Sequence, residues 1–384
     1  MKTAIISVTK KAALLGQRIK AEVIPDADCY EKDGKISGKK AYLFSTMKPL
    51  MEDLFLNYDR ILCIMATGIV VRMIAPFIKH KSLDPAIVVM DEAGHYAISL
   101  LSGHLGGANE WASEIALGVN AEPIITTATD VNGYPAPDVI ARKLHFRVDD
   151  FSVLKRVNAA IVEKQSVPYY IDNSLVLAGE YSSFIQEFTR KILGESQLEI
   201  PVTSVSIVNG TSKEINKEEG PCVIVTDQLL NLPHNISTHA LVLRPPTMTI
   251  GIGCRRNTSK ILIMEAIQNS LKNIGRSYKS VMSAASVIVK ADEEGLLEAV
   301  NELHWPITFF TQGEIASIVE NSNISTSDFV KKTIGVGNVC ETTALLMAQS
   351  QTLIQKKTIY PKTTVAIAQV ELKLSALDQV MKNL

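Results

Sequence analysis

DEAGHYAISLLSGHLGGANEWASEIALGVNAEPIITTATD, residues Asp91 to Asp130, decides how the rest of the chain is read. The apolar run Ala97 to Leu101 ends in Ser102-Gly103-His104, and Gly106, Gly107, Asn109 and Glu110 follow. Leu105, Ala108, Ala112, Ile115, Ala116 and Val119 then recur at helical spacing. A second apolar run, Pro123 to Ile125, ends in Thr126-Thr127-Ala128-Thr129-Asp130. Two strands thus deliver hydroxyls, an imidazole and a carboxylate to their carboxyl ends, the edge where open α/β sheets bind ligands.

The same alternation of strand and helix runs outward in both directions. Upstream, Ala4–Thr9, Tyr42–Ser45, Arg60–Ala66 and Ala86–Met90 read as strands. Lys10–Val23, Lys48–Leu56 and Ile69 to about His80 read as helices, and Asp26–Lys40 as a polar loop or hairpin. Tyr96–Leu101 is expected to fold back on Ala86–Met90 through Ala93-Gly94. Downstream, Arg244-Pro245-Pro246 marks a boundary, and a fresh α/β pattern opens at Thr247. The fold class expected is α/β, in two or three units. An N-terminal doubly wound, mainly parallel sheet (residues 1–144) is followed by a small central α/β region (145–245) and a separate C-terminal α/β domain (246–384).

Composition bounds the function. A length of 384 residues exceeds one ordinary core. A net charge of -1 supplies no global basic field, so no nucleic-acid partner is expected. The amino terminus reads as a first strand rather than a secretion signal, and no apolar run suits a membrane span. Five scattered cysteines without a C-x-x-C pair argue against a disulfide framework or structural zinc and suit a cytoplasmic protein.

Several clusters carry candidate chemistry. His104, with Ser102, Asn109 and Glu110 around it, suits proton transfer, although a capped glycine turn would use the same residues. Thr67-Gly68 at a helix start, with Arg72, could bind an anion or be a plain turn. Asp91-Glu92 could be an acid/base pair or a solvated hairpin tip. Thr126, Thr127 and Asp130 suit a ligand edge as well as a helix cap. In the C-terminal region Gly251-x-Gly253 followed by Arg255-Arg256 resembles an anion cradle, with Gly335-x-Gly337 a weaker second example. Arg256 stands where a dinucleotide fingerprint needs its third glycine, and no Gly-Lys-Ser/Thr follows for a P-loop.

These blocks resemble a known family. GIVVRMIAPFIKHKSLDPAIVVMDEAGHYAISLLSGHLGGANEWASEIA and PIITTATDVNGYPAPDVIA resemble the N-terminal part of the cobalt-precorrin-5A hydrolases of anaerobic cobalamin biosynthesis. GIGCRRNTS, VKADEEGLLEAVNEL, ITFF and VGNVCETTALL resemble their C-terminal domain, with Thr342-Thr343-Ala344 in place of an alanine-rich run. The resemblance implies that water opens a δ-lactone of a cobalt corrinoid and that acetaldehyde is expelled. It also implies that no metal or cofactor is held by the protein itself, since cobalt arrives with the substrate. His104 would activate water, directly or through Glu110 or Asp91, with Ser102 and amides near Gly106-Gly107 holding the oxyanion. Arg72, Arg255, Arg256 and Lys290 would bind peripheral carboxylates. A homodimer and channelling partners in the pathway are further expectations. The alternatives are a corrinoid carrier without catalysis and a phosphate-ligand enzyme using the same glycine turns.

Overall fold

A computed structural model describes residues 1–81, 83–193, 200–319 and 339–383. Gly335 and Gly337 lie outside the described residues. The chain divides into two compact units, Met1–Arg142 and Lys143–Leu384.

The first unit holds seven strands: β1 (Thr3–Ser7), β2 (Asp28–Lys32), β3 (Tyr42–Phe44), β4 (Arg60–Ile64), β5 (Ala86–Met90), β6 (Tyr96–Leu101) and β7 (Glu122–Ile124). Its helices are α1 (Lys10–Glu22), α2 (Met47–Asn57), α3 (Thr67–Ile74), α4 (Ala108–Val119), α5 (Ala128–Val131) and α6 (Pro137–Lys143). The sheet order is β3-β2-β1-β4-β5-β6-β7. The first five strands are mutually parallel, and the central three, β1, β4 and β5, are mostly apolar, because helices cover both faces. Ile5, Leu62, Ile64 and Val88 meet Ala12, Ile19, Trp111 and Ile115 on one face. Ile6, Ile61, Cys63 and Val89 meet Met51, Leu54, Val70 and Ile74 on the other. Each fully buried aliphatic side chain contributes roughly 1.5–3 kcal/mol. Helix α3 is shorter than its sequence pattern, since Pro76 has no N–H to continue the ladder.

One strand departs from the parallel run. β6 folds back antiparallel to β5, with Met90 opposite Ala97 and Ile87 opposite Leu101, and β7 runs parallel to β6. The carboxyl end of β6 therefore lies beside the start of β5. Residues that follow β6 and β7 gather at the edge where β1, β4 and β5 begin. Residues that follow β4 and β5 gather at the opposite edge.

The second unit contains two five-stranded sheets. The first is built from β8 (Arg147–Val148), β9 (Tyr169–Asp172), β10 (Val202–Val205), β11 (Cys222–Val225) and β12 (Ala240–Arg244), in the order β10-β9-β11-β12-β8. Asp172 and Thr226, both buried, join across the ends of β9 and β11 at 2.6 Å. The second comprises β13 (Met248–Cys254), β14 (Val281–Val287), β15 (Ile307–Phe310), β16 (Leu353–Tyr360) and β17 (Thr363–Gln369), in the order β15-β14-β13-β17-β16. The helix Val339–Ala348 packs so tightly on β13 that a Cβ on Gly251 would stand 1.8 Å from the Cys340 carbonyl oxygen. Among the described residues no helix is long and apolar enough to cross a membrane.

Gly251→Ala is expected to destabilise the protein by more than about 3 kcal/mol, or to prevent folding, because backbone rather than a pliable side chain is in the way. Gly179→Ala, in a helix with nothing within 4 Å of the added carbon, is expected to stabilise by roughly 0.5–1 kcal/mol. Chemical denaturation of the two variants checks the opposite signs.

Candidate functional site

The loop after β6 turns sharply into α4. Ser102 adopts a left-handed conformation (φ 57°), which is unusual for a residue with a side chain, and Gly107 follows at φ 80°. The turn closes on itself: the amides of Gly107, Ala108 and Asn109 donate to the carbonyls of His104, Ser102 and Gly103. The buried Ser102 hydroxyl donates to the Asp84 carbonyl at 3.0 Å. Ser102 and these amides thus serve the turn. A Cβ on Gly103 would stand 2.6 Å from Asn109 Oδ1, and one on Gly106 would stand 2.5 Å from the Ser102 Cβ.

This turn presents His104 to two carboxylates. Nδ1 lies 3.1 and 3.2 Å from the oxygens of Asp138 on α6. Nε2 lies 2.6 Å from Asp130 Oδ2, with Thr129 Oγ1 3.1 Å away. Asn109 donates to Asp130 Oδ2 and to Thr127 Oγ1, both at 2.9 Å, and accepts from Ser99 at 2.6 Å. The Lys81 ammonium stands 4.0 Å from Asp138. Exposure grades along the chain of bonds, at 2% for the Asp138 side chain, 10% for His104 and 35% for Asp130. The buried end fixes the ring, and the outer end meets solvent.

Both ring nitrogens face carboxylate oxygens, which accept and do not donate when ionised. The imidazole satisfies both only as the cation. Burial by itself would push its pKa down. Hydrogen bonds first to Asp130 and then to Asp138, with the negative charge of both, overcome that and raise it to about 9.

The remaining expected residues separate by edge. Glu110 pairs with Arg142 at 2.5 Å, beside His104 on the same segment. Thr126 is exposed nearby. Thr67, Gly68, Arg72 and Asp91 follow β4 or β5 and lie at the opposite edge of the sheet. There Arg72 donates to the Gly68 carbonyl at 3.0 Å. Asp91 accepts from the amides of Ala93, His95 and Tyr96 at 2.8–2.9 Å. Its partial burial raises the carboxyl pKa, but those amides outweigh it and hold the group below the usual carboxylate range. In the second unit, Arg256 pairs with Asp292 and with the buried Glu293, which also holds the buried Lys290 at 3.1 Å. Gly251 is covered by the helix Val339–Ala348, Gly253 sits against Thr364, and Arg255 is exposed. Sequence reasoning missed Asp138, Arg142 and Lys81. The available signal was the i, i+4 spacing of Asp138 and Arg142, which puts both on one helix face.

Three family models match consecutive stretches of the chain: cobalamin synthesis G N-terminal over residues 49–130, cobalamin biosynthesis central region over 135–245, and cobalamin synthesis G C-terminus over 248–368. A cobalt-precorrin-5A hydrolase from Salmonella typhimurium is 34% identical over 302 residues, spanning 78% of this chain and 79% of that protein. The chain belongs to the cobalamin synthesis G family. A second family relative, the cobalt-precorrin-5A hydrolase from Priestia megaterium, is 29% identical over 95% of this chain and 94% of its own. A solved cobalamin biosynthesis protein G homolog from Sulfolobus solfataricus is 22% identical, with a TM-score of 0.37 over 96% of this chain and 97% of that one. His104 and Asp130 fall in the stretch matched by the family's N-terminal model, and Asp138 and Arg142 in that matched by its central-region model.

A histidine whose folded pKa exceeds its unfolded value contributes stability fully below about pH 6.5 and loses it as pH rises through about 9. The thermal midpoint is expected to fall across that window by an amount corresponding to about 3 kcal/mol. His104→Gln should flatten the slope. Calorimetry at stepped pH on both proteins makes the comparison.

Proposed function

We propose that the protein hydrolyses cobalt-precorrin-5A in cobalamin biosynthesis and that the His104 site performs the chemistry. The family matches that follow one another from residue 49 to residue 368 support the pathway, and the relatives named cobalt-precorrin-5A hydrolase support the substrate and reaction. The position of Asp130 supports the assignment of roles. It is the most exposed of the three coupled groups, and its bonds to His104 and Asn109 both fall on Oδ2, which leaves Oδ1 turned to other work.

In this reading Asp130 is the proton shuttle. Water adds its oxygen to the lactone acyl carbon while Asp130 takes a proton from it. As Asp130 is neutralised its bond to His104 weakens, and the imidazolium Nε2–H, with the ring fixed through Nδ1 by Asp138, stabilises the negative charge that develops on the acyl oxygen. As the C–O bond of the lactone breaks, Asp130 returns the proton to the departing oxygen, giving a free carboxyl group and a hydroxyl on the extruded carbon. Asp130 then removes the hydroxyl proton. A carbonyl forms, the bond between that carbon and the macrocycle breaks, and acetaldehyde leaves. The electron pair stays on the macrocycle, which takes the proton back from Asp130. One water enters and one acetaldehyde departs, and no resident cofactor is required because cobalt comes with the corrinoid.

Asp130→Asn should lower acetaldehyde release by about 10²–10⁴-fold, since amide oxygen is a poor proton acceptor. His104→Ala should do the same. Asp91→Asn, at the opposite edge, should cost less than about tenfold under the same criterion. Coupled reduction of acetaldehyde gives the rates, and wild-type turnover in Asp130→Asn would contradict the roles assigned.

A further inference from the structure

Two arginines beside this site have buried hydrogen-bonding capacity to spare. Arg60 opens β4 at the same sheet edge, and its guanidinium lies over the Trp111 ring of α4, 5.6 Å from the centroid. Its Nε is buried without a hydrogen-bond partner. Arg142 is one helical turn beyond Asp138 on α6. Its guanidinium covers Gly107, where a Cβ would stand 3.1 Å from Nη1, and its Nε is likewise buried without a partner. Each Nε donor is shut away from water at a cost of about 1–3 kcal/mol, so a ligand meets these side chains at their Nη atoms.

The two cations also act on each other. Burial lowers the pKa of Arg60. Glu114 opposes that, and the nearby positive charge of Arg142 adds to it. Glu110 answers Arg142 from a position 53% exposed, where water screens it, whereas the Arg142 side chain is only 17% exposed. Stacking on Trp111 holds the Arg60 guanidinium without using its hydrogen-bonding edge, and Arg142, seated over Gly107, spends one Nη on Glu110.

We propose that Arg60 and Arg142 form a carboxylate clamp next to His104, which binds an acidic side chain of the corrin and makes the site selective for corrins whose side chains are not amidated. This rests on the corrinoid reading above. A carboxylate offers two acceptors to a guanidinium fork, whereas an amide offers one acceptor and presents its own donors to a cation. A carboxylate held here is adjacent to the imidazole that Asp130 and Asp138 flank. The clamp thus sets which face and rim of the macrocycle reach Asp130.

Absorbance titrations with cobyrinic acid and with its fully amidated counterpart test the clamp. The wild-type protein should prefer the acid, and Arg60→Gln or Arg142→Gln should each erode that preference about tenfold while leaving affinity for the amidated corrin in place. Arg60→Lys, which keeps the charge and the stem over Trp111 but not the fork, should fall between them. Equal loss for both corrins would mean a packing role and would overturn the clamp, as would an unchanged preference in the variants. Wild-type acetaldehyde release with an intact acid preference in Arg60→Gln would sink this inference alone. Failure of the wild-type protein to bind either corrin would sink the corrinoid reading with it.

Discussion

Asp130 and Asp138 grip one imidazole from its two sides, and much of the first unit's local structure exists to allow this. Bringing a cation and two anions out of water is costly, and the attraction among them repays it only in good geometry with the remaining atoms satisfied. Here they are. Asn109 and Thr127 continue the network from Asp130, Ser99 continues it from Asn109, and Lys81 approaches Asp138. The strained Ser102 and the crowded Gly103 and Gly106 are the local cost of aiming His104 into that gap.

The direction of β6 decides which polar residues take part. Had β6 run parallel to β5, its carboxyl end would stand with Thr67 and Asp91. Running antiparallel, it carries Ser102 to Asn109 to the other edge, where α6 supplies Asp138 and Arg142 and β4 supplies Arg60. The carboxyl edge of the parallel strands, the usual ligand edge of such sheets, keeps Thr67, Gly68, Arg72 and Asp91, with their capping and turn bonds.

Much of the fold was legible because it is written in apolar runs. Ala86–Met90 and Tyr96–Leu101 appear with the bounds expected from sequence. β2 was hidden because it reads Asp-Cys-Tyr-Glu-Lys: its buried Glu31 is balanced by Gln17 and Ser37, a pairing invisible to periodicity. β14 was hidden because Val-Met-Ser-Ala-Ala-Ser-Val has the small residues that a closely packed strand needs rather than a β-branched run. At the site, His104, Asn109, Thr127 and Asp130 could be named from one stretch, since the segments that follow the parallel neighbours β6 and β7 emerge at the same edge. Asp138, Arg142 and Arg60 could not, because only the sheet order brings them there.

The central claim is that His104 is held as a cation by two carboxylates. Nitrogen-15 NMR of the histidine ring, with His104 assigned by substitution, tests it directly. The account predicts that both ring nitrogens carry protons at pH 7.5 and that deprotonation occurs near pH 9. A ring with one bare nitrogen at pH 7.5, titrating near the ordinary histidine value of about 6.5, would contradict it.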